Sequence, residues 1–427
     1  MRLTPRSAGK TALLILLTVL TVAGGWAIAQ RFLVGSRVTN GTNIAPWGLW
    51  LAFYLYLIGL SAGSFLISSL VFAFGVKKYE PVGRLALVQA LGCLLIGLSL
   101  IFIDLGRPER FYRTMLNWNP SSVLAWVIVF YSLYMMVVAV ELWILIRPDL
   151  DLLGRTARPL WARALYRIAA FSDPGGTPVT ASPSAARWLK TLAIVGIPLA
   201  ICVHGGTGMV FAVMKARPYW FTGLFPLLFI VSALASGGGL LTFLTVVFLR
   251  IEPAVKQSLV RSLARLSAFI LLADLFLLVL ESFVALYGNV PEQATTYRQI
   301  LFGHFWWVFW FVQIVCGCVI PLFLILGPGK NNSKALGAAA ALIVIGIAGV
   351  RLNIVIPPLQ TAWGGGLPAE FHDVLCPRGY TPSAIEWLCT FGLFSLGAWG
   401  LLAARVVLPL EALKPEHEGT EPASGPG

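Results

Sequence analysis

Apolar residues gather in runs of about 20 or more, the length a helix needs to cross the hydrocarbon core of a bilayer. Polar residues collect in the gaps. The pattern predicts ten spans, at about 11–31, 48–76, 84–104, 121–147, 190–213, 221–250, 263–288, 299–327, 335–357 and 383–410. The stretches 77–81, 106–110, 117–122 and 327–333 separate spans with Gly, Pro, Asn and charged residues, which is turn chemistry.

The spans also read as a repeat. Spans two to five can be laid over six to nine at an offset of roughly 180 residues. Span three opens at Arg84 and ends in acid at Asp104, while span seven opens at Arg265 and carries Glu281. Four spans per unit preserve orientation, so the repeat axis would run along the membrane normal. The expectation is an all-α polytopic protein of two parallel-repeat four-helix bundles, with one flanking helix at each end of the chain. It forms a single membrane domain, with segments at 1–46, 47–213, 214–357 and 358–427.

Composition agrees. Of 427 residues 58% are hydrophobic and 11% charged, whereas a soluble domain carries about 25% charged residues. Little mass remains outside the spans, which leaves no room for a separate soluble catalytic domain. The net charge of +13 suits nucleic acid in principle, but its distribution argues for a membrane instead. With the N-terminus inside, Lys and Arg favour the inside segments by about two to one, which puts both termini in the cytoplasm of a prokaryotic cell. The basic 147–190 loop would also meet anionic membrane lipids. A competing reading takes Arg2, Arg6 and Lys10, followed by the apolar run to Gln30, as a signal peptide, which leaves nine spans.

The six cysteines, Cys93, Cys202, Cys316, Cys318, Cys376 and Cys389, form no C-x-x-C pair, so neither an iron–sulfur cluster nor a c-type haem has a recognisable site. No metal site, P-loop, dinucleotide fingerprint or hydrolase motif occurs. What stands out is a short set of ionisable residues at membrane depth, each costly to insert. His204 is one of four histidines and lies roughly 13 Å inside the end of its span, about nine residues at 1.5 Å each. Asp104 and Glu281 fall toward the same outer end, Asp274 near the middle, and Glu141 in the inner half.

That ladder suits quinone chemistry, in which two electrons and two protons move together. His204 would donate to a quinone oxygen and relay its proton. Gly205, Gly206 and Gly208, which follow His204 on either side of Thr207, would let a flat ring approach the backbone. Glu141 and Asp274 would form the proton route. Each residue has a plainer reading. His204 could bond a neighbouring helix, Asp104 could join an ion-pair cluster with Arg107, Glu109 and Arg110, and Glu141 could snorkel to the interface. Asp274 and Glu281, seven apart, share a helix face. The aromatic run 305–311 reads as an interfacial belt, and Ser236 to Gly239 as a close helix crossing.

The motifs around Pro46 to Trp50, Gly59 to Ser64, Asp104 to Phe111, Asn117 to Ser122, His204 to Met209, Lys215 to Pro218 and Arg351 to Val355 occur in one order along 40–410. In this the chain resembles the NrfD/PsrC-like integral membrane subunits of respiratory oxidoreductases, in their ten-helix HybB/DsrP-like branch. The resemblance implies a haem-free subunit that exchanges menaquinone or ubiquinone. It would dock on its outer face to a ferredoxin-like iron–sulfur subunit, and through it reach a molybdenum reductase, a hydrogenase or a multihaem cytochrome c. Lys215, Arg217 and Trp220, with the 353–382 segment, would form the docking surface. His204 and Asp104 would map to the quinone region and Glu141 to a proton route. Two other functions stay open: a b-type cytochrome, for which His204 and His304 are the one candidate pair, and a proton-coupled secondary transporter using the buried acids.

Overall fold

The computed structural model describes residues 5–42, 45–157, 159–172, 179, 182–360 and 380–410. Among these residues ten helices are long and apolar enough to cross a membrane: α1 (Pro5–Val34), α2 (Leu49–Phe72), α3 (Gly83–Asp104), α4 (Val123–Thr156), α5 (Pro183–Ala212), α6 (Phe225–Phe248), α7 (Pro253–Tyr287), α8 (Val308–Leu326), α9 (Ser333–Gln360) and α10 (Ala384–Val407). Among the described residues there is no strand. The ten spans expected from the apolar pattern are the ten found.

Their ends differ where a helix extends past its apolar run. The pattern ends the fourth span near Arg147, before Pro148, Asp149 and Asp151. The helix instead continues to Thr156. Proline removes one backbone donor, and the acids are compensated: Asp149 pairs with Arg84 at 2.5 Å and Asp151 with Arg155 at 3.0 Å. Helix α7 begins at Pro253, ten residues before the apolar run. Proline at a first helical position loses nothing, because that N–H has no partner in any helix.

Helices α2, α3, α4 and α5 pack in a ring, each on the next and α5 back on α2. Helices α6, α7, α8 and α9 close a second ring in the same order. The rings meet along α2 and α6, with α5 against α6 and α9 against α2. The flanking helices α1 and α10, from opposite ends of the chain, pack on each other, and α10 lies against α3.

Glycine sets the closest approaches. A Cβ on Gly63 would lie 2.4 Å from the Ala233 carbonyl oxygen and 2.8 Å from the Gly237 Cα. Gly24 against Gly392 and Gly317 against Gly346 are equally tight, at 2.3 and 2.6 Å. In a lipid environment, where apolar burial does not favour one helix over lipid, such backbone contact is a principal source of helix association. The stretch Ser236 to Gly239 thus serves the close helix crossing its composition suggests.

Candidate functional site

Polar side chains buried in the bundles form two groups. In the first ring Ser61, Ser64 and Ser68 share one face of α2. Ser61 meets the Tyr134 hydroxyl at 3.2 Å, and Gln89 donates to Ser64 and to the Gly237 carbonyl. Glu141, seven residues beyond Tyr134 on α4, is fully buried, and neither of its carboxyl oxygens has a hydrogen-bond partner. The Ser68 hydroxyl is also unpaired. Far from snorkelling to an interface, Glu141 faces the protein interior.

His204 stands above this column. Its Nδ1 lies 2.6 Å from the Ala200 carbonyl oxygen on its own helix, and its Nε2 lies 2.7 Å from the Ile58 carbonyl oxygen on α2. Both ring nitrogens are therefore spent on backbone, and the ring ties α5 to α2. Thr207 donates to the Val203 carbonyl at 2.5 Å, and Gly205 packs toward Ile230. His304, by contrast, is exposed in the turn before α8.

The second ring holds a crevice. It is lined by Tyr219, Ser232, Asp274, Glu281, Gln313 and Arg351, with Asn353, Tyr297 and apolar walls from Phe225 and Phe309. About 50 Å³ of it is wide enough for water. Asp274 and Glu281 are buried, as their shared helix face suggests. Arg351 on α9 is 1% exposed; it donates to Ser232 and lies 4.3 Å over the Phe229 ring. Asn353 donates to Gln313 at 3.1 Å. Gln313 comes from a π-helical stretch of α8, Val308–Val319, a geometry found often at functional sites. Three buried polar atoms along this crevice have no hydrogen-bond partner: Glu281 Oε1, Arg351 Nε and Asn353 Oδ1. Burial first, and then the Glu281 charge, push the Tyr219 phenol up, so it stays protonated.

Asp104 closes α3 elsewhere, half-buried under α1 and α10. The expected ion-pair cluster does not form around it: Arg110 meets Glu109 at 3.8 Å on the surface. Its region holds two charges the sequence reading missed. Buried Arg31 donates to the Leu105 carbonyl, and buried Glu386 accepts from Tyr380 and from the Ser383 amide at 2.7 Å.

The residues expected to dock a partner also divide. Lys215 is exposed, and Arg217 is half-buried and donates to the Pro358 carbonyl at 3.0 Å. Trp220 is not at the surface at all. Only 2% exposed, it donates to the Ile354 carbonyl at 2.7 Å and packs on Trp47 and Phe211. Its large apolar face found a core between the rings. The 361–379 part of the expected docking segment, with Cys376, lies outside the described residues. In the run 305–311, Trp306, Trp307, Trp310 and Phe311 point outward as a belt would, while Phe309 lines the crevice.

Of the five residues expected at a quinone, then, Glu281 lines the crevice, His204, Gly205 and Thr207 share a turn of α5, and Asp104 lies beneath the flanking helices. The sequence reading missed Arg351, Asn353, Gln313 and Ser232 as site residues. Arg351 gave a signal, since it is a fixed charge inside an apolar run. Gln313 gave none, because its place depends on the π-helical register.

A polytopic all-α membrane protein with paired helical rings and buried acids is the class these features define. The family model described as "Polysulphide reductase, NrfD" matches residues 37–362, and the chain belongs to that family. It is 36% identical to a subunit of the selenate reductase of Mesobacillus selenatarsenatis, with 89% of each chain covered. It is 29% identical to a putative dimethyl sulfoxide reductase membrane subunit of Halobacterium salinarum, over 94% of this chain and 91% of the relative. A further relative, 26% identical over 90% of this chain and 89% of its own, is the Hdr-like menaquinol oxidoreductase integral membrane subunit of Archaeoglobus fulgidus.

Proposed function

We propose that this chain is the quinone-binding membrane subunit of a respiratory reductase complex, exchanging electrons between the quinone pool and an iron–sulfur partner subunit docked at the end that carries Asp104. The observation that carries the reading is the crevice of the second ring, in a chain whose relatives are membrane subunits of reductases and of a menaquinol oxidoreductase. A bound menaquinone or ubiquinone would supply two-electron redox chemistry coupled to two protons.

The crevice residues suit such a ring chemically. Arg351 Nε offers a donor to a carbonyl oxygen, the protonated phenols of Tyr219 and Tyr297 offer others, and Phe225 and Phe309 offer apolar walls. Glu281 Oε1 stands ready to take or give a proton at the same place. Asp274, seven residues along the same helix face, extends the route inward, and Glu141 serves the first ring likewise. The crevice must widen to admit a head group, and α8, whose π-helical stretch forms one wall, is the element suited to move. His204, Gly205 and Thr207 fix the α5–α2 contact behind the site, and Asp104 lies at its outer end. Lys215 and Arg217 face the partner, while Trp220 supports their loop from beneath.

The test is quinone binding to the purified protein, with the visible spectrum recorded on the same sample. Glu281→Gln should keep the fold and lower quinol-linked turnover of the assembled complex by about 10²-fold, the scale of one general acid–base group. Unchanged turnover would remove Glu281 from the site. A haem band with no quinone bound would overturn the whole reading.

A further inference from the structure

At the opposite end of the molecule from Asp104, a recess of about 470 Å³ opens between the first turns of α7 and the turn that joins α2 to α3. Its lining is Lys78, Ala254, Gln257, Ser258, Arg261, Ser262 and Arg265. The six residues from α7 fall at helical spacing on one face. The turn Lys77–Val82 brings Lys78 against them, anchored where the Tyr79 hydroxyl meets Ser262 at 2.9 Å.

Three cations line this recess and no carboxylate does. The Lys78 and Arg265 side chains make no hydrogen bond or ion pair with any described residue. Arg261 spends Nε on the Lys330 carbonyl at 3.0 Å and Nη2 on Asn331 at 2.7 Å, which fixes its guanidinium in place. Gln257, held through its oxygen by Ser333, leaves a buried Nε2 without an acceptor. Two other basic residues near this end find acids, Arg84 with Asp149 and Arg155 with Asp151. This recess instead carries positive charge with no carboxylate to balance it, and so it calls for an anion.

Depth says which kind. From Arg265 to Tyr287 helix α7 rises roughly 33 Å, close to the roughly 30 Å of a hydrocarbon core. Arg265 therefore sits at the boundary of the apolar layer, with Arg261 and Gln257 one and two turns beyond it, at head-group level. We propose that the recess binds the phosphate of an anionic phospholipid head group, with Lys78, Arg261 and Arg265 around it, the Gln257 amide donating, and the acyl chains lying along the apolar length of α7. The site does not depend on the quinone reading.

Native mass spectrometry of the purified protein, titrated with equal amounts of phosphatidylglycerol and phosphatidylcholine, tests this. Phosphatidylglycerol should be retained in preference. Arg265→Gln should lower its retention about fivefold and Lys78→Gln with Arg265→Gln about 25-fold, since each basic residue near a membrane surface contributes a comparable step. Lys190→Gln, which removes one exposed charge at the same end, should change nothing. Inorganic phosphate, added without lipid, distinguishes the source. If it raises the melting temperature of the wild type but not of Arg265→Gln, while no lipid is retained, the anion is free phosphate and the lipid assignment fails. Equal retention of the two lipids, or an equal loss in Lys190→Gln, would overturn the site altogether.

Discussion

His204 shows how much a single residue type leaves unsaid. A histidine at membrane depth reads as a redox-coupled donor, yet here each ring nitrogen faces a backbone carbonyl, at 2.6 and 2.7 Å. A neutral imidazole donates from one nitrogen, so it makes one of these hydrogen bonds at a time. The geometry gives His204 a joining role between α5 and α2. His204→Ala should therefore lower unfolding free energy by about 1–3 kcal/mol, the cost of an abandoned buried hydrogen bond. The folded fraction should still bind quinone, measured per molecule of monodisperse protein. Binding lost at wild-type stability would restore His204 to direct contact. Depth and type were thus legible in the sequence, but what each side chain meets was not. Glu141, Asp274 and Glu281 stood out because an acid in an apolar run costs free energy wherever it points. Glu386 and Arg31 lie near span ends, where charges are ordinary, and only packing shows that they are buried.

At the scale of helices, apolar run length located every span, because the bilayer fixes the number of residues required. Helix ends escaped it where α4 runs on past Pro148 and α7 starts at Pro253, since local propensity carries no information about Arg84 reaching Asp149. Which glycines matter was equally hidden. Gly63 and Gly92 are each one glycine in an apolar span. A Cβ on Gly63 meets backbone at 2.4 Å, whereas one on Gly92 meets nothing within 4 Å. The same substitution should then act with opposite sign. Gly63→Ala should push α2 from α6 and cost about 1–3 kcal/mol. Gly92→Ala should leave packing alone and raise stability by about 0.5–1 kcal/mol through helix propensity. Thermal unfolding in one detergent compares them, and equal shifts would show that the crossing yields more readily than its backbone contact implies.

For the molecule as a whole, two rings closing in the same order are what duplication of a four-helix unit would give. Polar contacts follow suit. His204 on α5 touches Ile58, five residues before Gly63 on α2, and Arg351 on α9 touches Ser232, five before Gly237 on α6. A histidine and an arginine thus occupy corresponding places, one closed onto backbone and one opening on the crevice. Since each ring has an even number of helices, both units point the same way, and α1 and α10 return both described chain ends to the Gly83 end. Ten spans with this pairing leave one sidedness to establish, and the basic bias of the segments at the Gly83 end predicts that this end faces the cytoplasm. Single cysteines at Thr295 and Lys334, exposed at opposite ends, test it in a background without native cysteines. A membrane-impermeant maleimide should label Thr295→Cys in spheroplasts, and Lys334→Cys only after lysis. The reverse pattern would put the crevice end in the cytoplasm, and with it the partner subunit and the source of protons for Glu281.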